Sequence, residues 1–144
     1  MVYFYAILFK ERVSILELQR QQPIVEAYHF DMRDPKKEAE TNLNVGFAPL
    51  KPSSEDYPKE NSILAARLQF QIVFKQFIIS GAIMQVNHIV GKKVVDKKDL
   101  SKEETDKLVA PLFDILERLT YEVTEIITDK PGVQLNFNPP EKEQ

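Results

Sequence analysis

The sequence contains no cysteine and no tryptophan, and only four of its 144 residues are glycine. Without cysteine there is no disulfide framework, no thiolate zinc site and no cysteine nucleophile. Its two histidines, His29 and His88, are too few for a three-histidine metal site. We therefore expect no catalytic residue, no metal and no cofactor. The lack of cysteine also fits a reducing compartment, so we expect a cytoplasmic protein.

The charge balance excludes a second class of function. Nineteen Lys and Arg against 22 Asp and Glu leave a formal net charge of −3. A protein that binds nucleic acid through phosphate contacts needs a basic surface, so we expect no nucleic-acid partner. Apolar residues at 43% and charged residues at 28% are typical of one globular domain of this length.

The first nine residues, MVYFYAILF, are all apolar. They are too few for a membrane span, which takes about 20 residues. Positive charge follows the run, whereas in a secretory signal it precedes the apolar stretch. Three interpretations stay open: an added edge strand, an arm that docks on a partner chain, and an upstream extension. We divide the chain into residues 1–13 as apolar N-terminal extension or added strand, one domain over 14–140, and a tail at 141–144.

Alternating apolar and polar residues predict the strands. Residues 15–34 are extended with an interruption at Pro23, and residues 42–49 form a second strand. Residues 49–62 contain three prolines and form a loop. A long hairpin follows, with strands at 63–75 and 77–90.

The strand at 77–90 is apolar on both of its faces, which indicates a central strand that is covered twice. A helix can cover one face, and the other face then needs a second subunit or a ligand. If the even-numbered face meets the helix, Phe77 and Ile79 on the odd-numbered face become candidates for a groove or an interface.

Helix signals follow the hairpin. Ser101 and Glu104 form a capping box, and apolar spacings of three and four predict a helix over 102–128. Pro111 should kink or split it, and residues 133–137 should form a last short strand. The fold class is therefore α+β: an antiparallel sheet of about four main strands with a long kinked helix on one face.

Two segments are similar to a known family. The hairpin ILAARLQFQIVFKQFIISGAIMQVNHIV resembles the long central hairpin of SecB-like proteins. The segment KLVAPLFDILERLTYEVTEIITDKPGVQLNFNP resembles their helix and closing strand, with Pro111 at the place of the proline that opens the family's helix. The first strand, VEAYHFDMRD, most closely resembles a small, uncharacterised SecB-like family of low-GC Gram-positive bacteria.

The resemblance implies a non-enzymatic protein-export chaperone that assembles as a dimer of dimers and holds non-native polypeptide in hydrophobic grooves. For this chain we expect a homo-oligomer, either a dimer or a tetramer. An alternative is a dimeric adaptor or regulatory protein that binds one specific partner. A third is a small-molecule binder or enzyme with an apolar cavity under the sheet. The candidate polypeptide-binding or interface residues are Phe77, Ile79, Ile83, Ile89 and Tyr121.

Overall fold

The computed structural model describes residues 16–137, within which it has five strands, a short 3-10 helix and one long α-helix. The proposed extension at 1–13 and tail at 141–144 lie outside the described residues. The elements, in chain order, are β1 (Glu17–Arg20), β2 (Ile24–Met32), β3 (Asn42–Leu50), β4 (Ser62–Val73), β5 (Phe77–Val90), a 3-10 helix (Lys97–Asp99) and α1 (Lys102–Thr128).

The strands form one antiparallel sheet. β3 pairs with β4, β4 pairs with β5, and both β1 and β2 pair with the other side of β5. β1 and β2 therefore make a single edge row, interrupted next to Pro23. The sheet has four rows, and the predicted α+β fold class of about four main strands with a helix on one face is confirmed.

The predicted hairpin is the centre of this sheet. β4 and β5 pair along their whole length, from Ser62 opposite Ile89 to Val73 opposite Ile78. The backbone N–H of Phe74 donates to the carbonyl of Phe77 at 2.9 Å, which closes the tight turn. β5 lies between β4 and the β1–β2 row, so it is central in the sheet, as its apolar character predicted.

The register of the hairpin decides which face becomes the core. Leu68 lies opposite Ile83 and Ile72 lies opposite Ile79, so the even-numbered face of β4 and the odd-numbered face of β5 coincide. Helix α1 packs on this inner face. The main core cluster consists of Ala66, Leu68, Phe70, Ile72, Ile79, Ile83, Leu112 and Leu116.

Helix α1 begins at the predicted capping box. The Ser101 hydroxyl accepts from the Glu104 N–H at 3.1 Å, and the Glu104 carboxylate accepts from the Ser101 N–H at 2.8 Å. These two bonds satisfy backbone donors that the first helical turn leaves free. The helix runs without a break across Pro111, so the expected alternative of a split helix is wrong.

An arginine of the edge row compensates for Pro111. Proline has no N–H, so the carbonyl of Lys107 loses its usual helical donor. Arg20 Nη2 donates to that carbonyl at 2.6 Å, and Lys107 Nζ donates back to the carbonyl of Leu16 at 2.6 Å. These two bonds tie β1 to the helix at the residue where the helical bonding is interrupted.

The expected last strand is wrong, because residues 133–137 form no strand. Asp129 takes the left-handed conformation at the helix end and turns the chain back along α1. The Val133 N–H donates to Thr124 Oγ1 at 2.8 Å, and the ring of Phe137 lies 4.9 Å from that of Phe113. We call residues 131–137 the return segment. Its alternating apolar side chains pack on the helix instead of joining the sheet.

We predict that Gly81→Ala lowers the free energy of unfolding by about 1–3 kcal/mol, the usual cost of forcing extra volume into a packed site. A β-carbon at Gly81 would overlap the backbone carbonyl of Ala27 and press on the ring of Phe70. Urea denaturation measures the change. Gly46→Ala is the control, since a β-carbon there has nothing within 4 Å. Equal stabilities of the two variants would contradict the close approach.

A double-mutant cycle tests the role of Arg20. We expect Arg20→Ala to cost about 1.5 kcal/mol, the lower end of the range for a hydrogen bond with a charged group, because this bond is exposed. The cost should shrink in a Pro111→Ala background, where residue 111 regains an N–H for the Lys107 carbonyl. Arg118→Ala serves as the control, because Arg118 only pairs with Asp114 on the helix surface. Additive losses would mean that Arg20 does not serve the carbonyl freed by proline.

The capping carboxylate also makes stability depend on pH. Glu104 has a side chain 8% exposed and pairs with Lys92 at 2.8 Å; the hydrogen bond from Lys92 lowers its pKa, against the opposing effect of burial. A lowered folded-state pKa stabilises the fold above the ordinary glutamate pKa, and this is lost as pH falls through the lowered value. We expect Glu104→Gln to remove part of the acid dependence seen in urea denaturation. An unchanged pH profile would contradict this.

Candidate functional site

Three of the five candidate residues belong to the core. Ile79, Ile83 and Ile89 are each 0% exposed. The premise that the even-numbered face of β5 meets the helix is wrong, because the hairpin register joins the odd-numbered face to the inner face of β4. These side chains are covered within the chain, so we do not carry them into the candidate site.

Phe77 lies in an aromatic cluster at the turn end of the hairpin. Its half-buried ring stacks on Phe30 at a centroid distance of 4.6 Å and on Phe74 at 4.7 Å. Arg33 holds the turn by donating to the Phe74 carbonyl at 3.2 Å. Met32, opposite Phe77, is 75% exposed. A contact of Phe77 with a partner stays a prediction.

Tyr121 lies in an open groove along the exposed side of α1. One part, of about 410 Å³, is lined by Tyr121, Glu122 and Leu135, among others. A second part, of about 710 Å³, is lined by Phe113 and Phe137, among others. The two parts share Glu117, and we call them together the helix groove. The role of Tyr121 as a contact residue stays a prediction.

The outer face of the sheet is the one that α1 leaves uncovered. The even-numbered side chains of β5 lie there; Ala82 is buried and the others are half-buried, among them Ile78, Met84 and Val86. Arg67 on β4 pairs with Glu26 across this face at 2.6 Å. A second subunit on this face, expected from the doubly apolar strand, stays a prediction.

The two edges of the sheet differ in their protection. The β1–β2 row carries Pro23, several charged side chains and a bulge between Val25 and Ala27. Such features keep a sheet edge from pairing with other chains. β3 has nine residues and no charged side chain, and in the described chain it pairs only with β4. Its one proline, Pro49, is next to its last residue, so residues 42–48 offer a backbone edge to an incoming strand.

The half-buried side chains of Tyr28 and His88 contact other side chains of the fold. The Tyr28 hydroxyl lies 3.0 Å from Thr120 Oγ1, and burial raises the pKa of Tyr28, so the phenol stays neutral. Ring nitrogens of His88 lie 3.2 Å from Gln21 Nε2 and 3.2 Å from the Tyr57 hydroxyl. Between residues 16 and 137, no group of three or more metal-ligating side chains is placed to hold an ion. In the same part of the chain, no helix is long and apolar enough to cross a membrane.

Comparison with known proteins identifies the family. Residues 16–137 match the family model described as a protein of unknown function, DUF1149. The chain belongs to this family. The match confirms the resemblance to an uncharacterised family, and the fold has the order of hairpin and helix that the SecB-like resemblance implied.

Solved structures include a relative of this DUF1149 protein. A crystal structure of a protein of unknown function from Streptococcus agalactiae is 39% identical, with a TM-score of 0.78, over 86% of this chain and all of that one. A SecB-like chaperone from Mycobacterium tuberculosis, solved with a peptide from an antitoxin, is 9% identical with a TM-score of 0.49, over 85% of this chain and 88% of that one. No curated protein matches the chain.

The sequence reasoning missed that β3 pairs only with β4 within residues 16–137, and it missed the groove beside the return segment. The absence of charge over 42–50 is a signal that is readable in the sequence. Which strand lies at an edge depends on pairing between distant segments, so that signal has no meaning until the sheet order is known. The groove exists because the return segment packs on α1, which local periodicity does not indicate.

Proposed function

We propose that this protein is a non-enzymatic, cytoplasmic polypeptide-binding protein of the SecB-like kind, which takes up an extended segment of another chain at β3. The observation that carries the proposal is the edge of β3, which is free of charged side chains and has its one proline, Pro49, next to its last residue. The opposite edge row carries charged side chains and a bulge and is interrupted at Pro23. The contrast within one sheet favours an edge kept open for pairing.

Strand addition suits a protein that accepts many sequences. An extended segment that joins a sheet edge is held by main-chain hydrogen bonds, which every residue except proline can make. Side chains of β3 alternate between the faces: Leu43, Val45 and Phe47 lie on the inner side, with Asn44 and Gly46 on the outer side. The half-buried Val45 and Phe47 pack beside the core and offer apolar contact to the incoming strand.

A chaperone and an adaptor use the same edge differently. A chaperone holds many non-native segments, and the SecB-like resemblance of the hairpin and helix favours this reading. An adaptor takes one strand of one partner. The absence of charged side chains along β3 favours the chaperone, because β3 itself presents no charged group that would select one partner sequence.

We predict that charges on β3 weaken binding of an unfolded protein. Reduced, carboxymethylated α-lactalbumin, which stays unfolded, is the probe, and its affinity is measured by fluorescence anisotropy. Asn44→Lys with Gly46→Lys should reduce affinity about tenfold, or about 1.4 kcal/mol. Asn44→Glu with Gly46→Glu should weaken binding as well, because either charge must be desolvated when a strand is added.

The matched control is Asn44→Ser with Gly46→Ser, which keeps the edge uncharged and should bind within about twofold of the parent. Opposite effects of the lysine and glutamate variants would mean that only long-range charge acts, and would overturn strand addition. If the parent protein binds no unfolded probe but one lysate protein binds in stoichiometric amount, the adaptor is the correct alternative.

A further inference from the structure

The loop between β3 and β4 encloses an open cavity that is separate from the strand edge and from the helix groove. The cavity has a volume of about 360 Å³ and lies between this loop and Lys93; we call it the loop cavity. Its size is at the lower end of the range for small-molecule sites. Pro52, Tyr57 and Pro58 line it and form what we call its apolar wall.

Hydrogen bonds hold the loop in place around this cavity. The Tyr57 hydroxyl donates to the Ser62 carbonyl at 3.3 Å and lies 3.2 Å from His88 Nδ1, which attaches the loop to β4 and β5. Lys93 Nζ donates to the Lys59 carbonyl at 2.8 Å and attaches the far side of the loop. A ligand therefore meets a loop that is already ordered, which lowers the entropy cost of binding.

The side chains that line the loop cavity carry a positive surplus in a protein whose net charge is −3. Lys51, Lys59 and Lys93 stand against a single carboxylate, Glu55, so three charges less one leave a surplus of two. None of the three lysines has an ion-pair partner in the described part of the chain. Lys93 Nζ donates only to backbone carbonyls, which leave its charge unpaired.

A phosphate monoester fits these groups better than a carboxylate does. Its charge near neutral pH is about −1.5 to −2, which matches a surplus of two, and lysine binds phosphate as a point charge. Two serines, Ser53 and Ser54, also line the cavity. The Ser54 hydroxyl accepts from the Asp56 N–H at 3.1 Å, so its own hydrogen is available to a phosphate oxygen.

We propose that the loop cavity binds a small-molecule phosphate monoester. The phosphate lies among Lys51, Lys59 and Lys93, and the organic part of the molecule packs on the apolar wall. The site uses no residue of β3, so its test is independent of the test for strand addition.

The experiment uses the full chain, isotope-labelled for NMR, and phenyl phosphate as the probe. We expect saturable shifts of the backbone amide signals of residues 53–57 with a dissociation constant of about 1 mM. Benzenesulfonate has a similar shape but a single charge, and it should bind at least about threefold more weakly. Equal affinities for the two anions, or no shifts at residues 53–57, would overturn the proposal.

Two further ligands test whether the site takes a small organic phosphate. Inorganic phosphate should bind at least about fivefold more weakly than phenyl phosphate, because it has no apolar surface to bury. Equal affinity would reduce the site to one for the free ion and overturn the role of the apolar wall. The peptide acetyl-alanyl-phosphoseryl-alanine amide should bind no more tightly than phenyl phosphate. Tighter binding of the peptide would favour a phosphorylated protein and overturn the small-molecule ligand.

Matched variants locate the site. Lys51→Gln with Lys59→Gln should weaken binding of phenyl phosphate at least about fivefold, as expected for the loss of two exposed ion pairs. Lys36→Gln with Lys37→Gln removes the same charge from an exposed turn after β2 and should leave affinity within about twofold. The amide spectrum of each variant also reports whether the fold is kept. Equal effects of the two double variants would place the binding in net charge and overturn the site.

Discussion

The packing of α1 on one face of the β4–β5 hairpin is the constraint on which the rest of the structure depends. β5 is apolar on both faces, so the face that the helix takes becomes core and the other becomes surface. The pairing of Leu68 with Ile83 settles this choice, since it places the large side chains of both strands on one side. Because Gly81 has no side chain, the backbone carbonyl of Ala27 and the ring of Phe70 can approach β5 closely. As a consequence, the helix leaves the outer face of the sheet uncovered among residues 16–137.

The helix is fixed to one edge of the sheet and not to the other. Pro111 frees a carbonyl inside α1, and Arg20 from the broken edge row supplies the missing donor. That row also carries the bulge and the charges that discourage further pairing. Among residues 16–137, β3 has no comparable bond to the helix and carries neither a charge nor a bulge. The two edges therefore differ both in their attachment to the helix and in their charge.

Local signals predicted the elements, while long-range pairing decided their use. The capping box at Ser101 and the apolar spacing predicted α1 with its observed bounds. The strand at 77–90 and its central position in the sheet were also predicted correctly. Alternation in Val133, Leu135 and Phe137 indicated an extended segment, which it is, but an extended segment can pack on a helix as well as in a sheet. For the same reason Ile79, Ile83 and Ile89 were expected in a groove or interface: they share the odd-numbered face of β5, and the sequence pattern is the same whichever face the helix covers.

A fold alone does not determine a function, so the proposal at β3 is drawn from a surface that this fold leaves uncovered among residues 16–137. Main-chain hydrogen bonds are nearly independent of sequence, so recognition by strand addition at β3 would be broad. A non-native chain presents extended backbone along much of its length, and an edge without charged side chains would suit such a ligand.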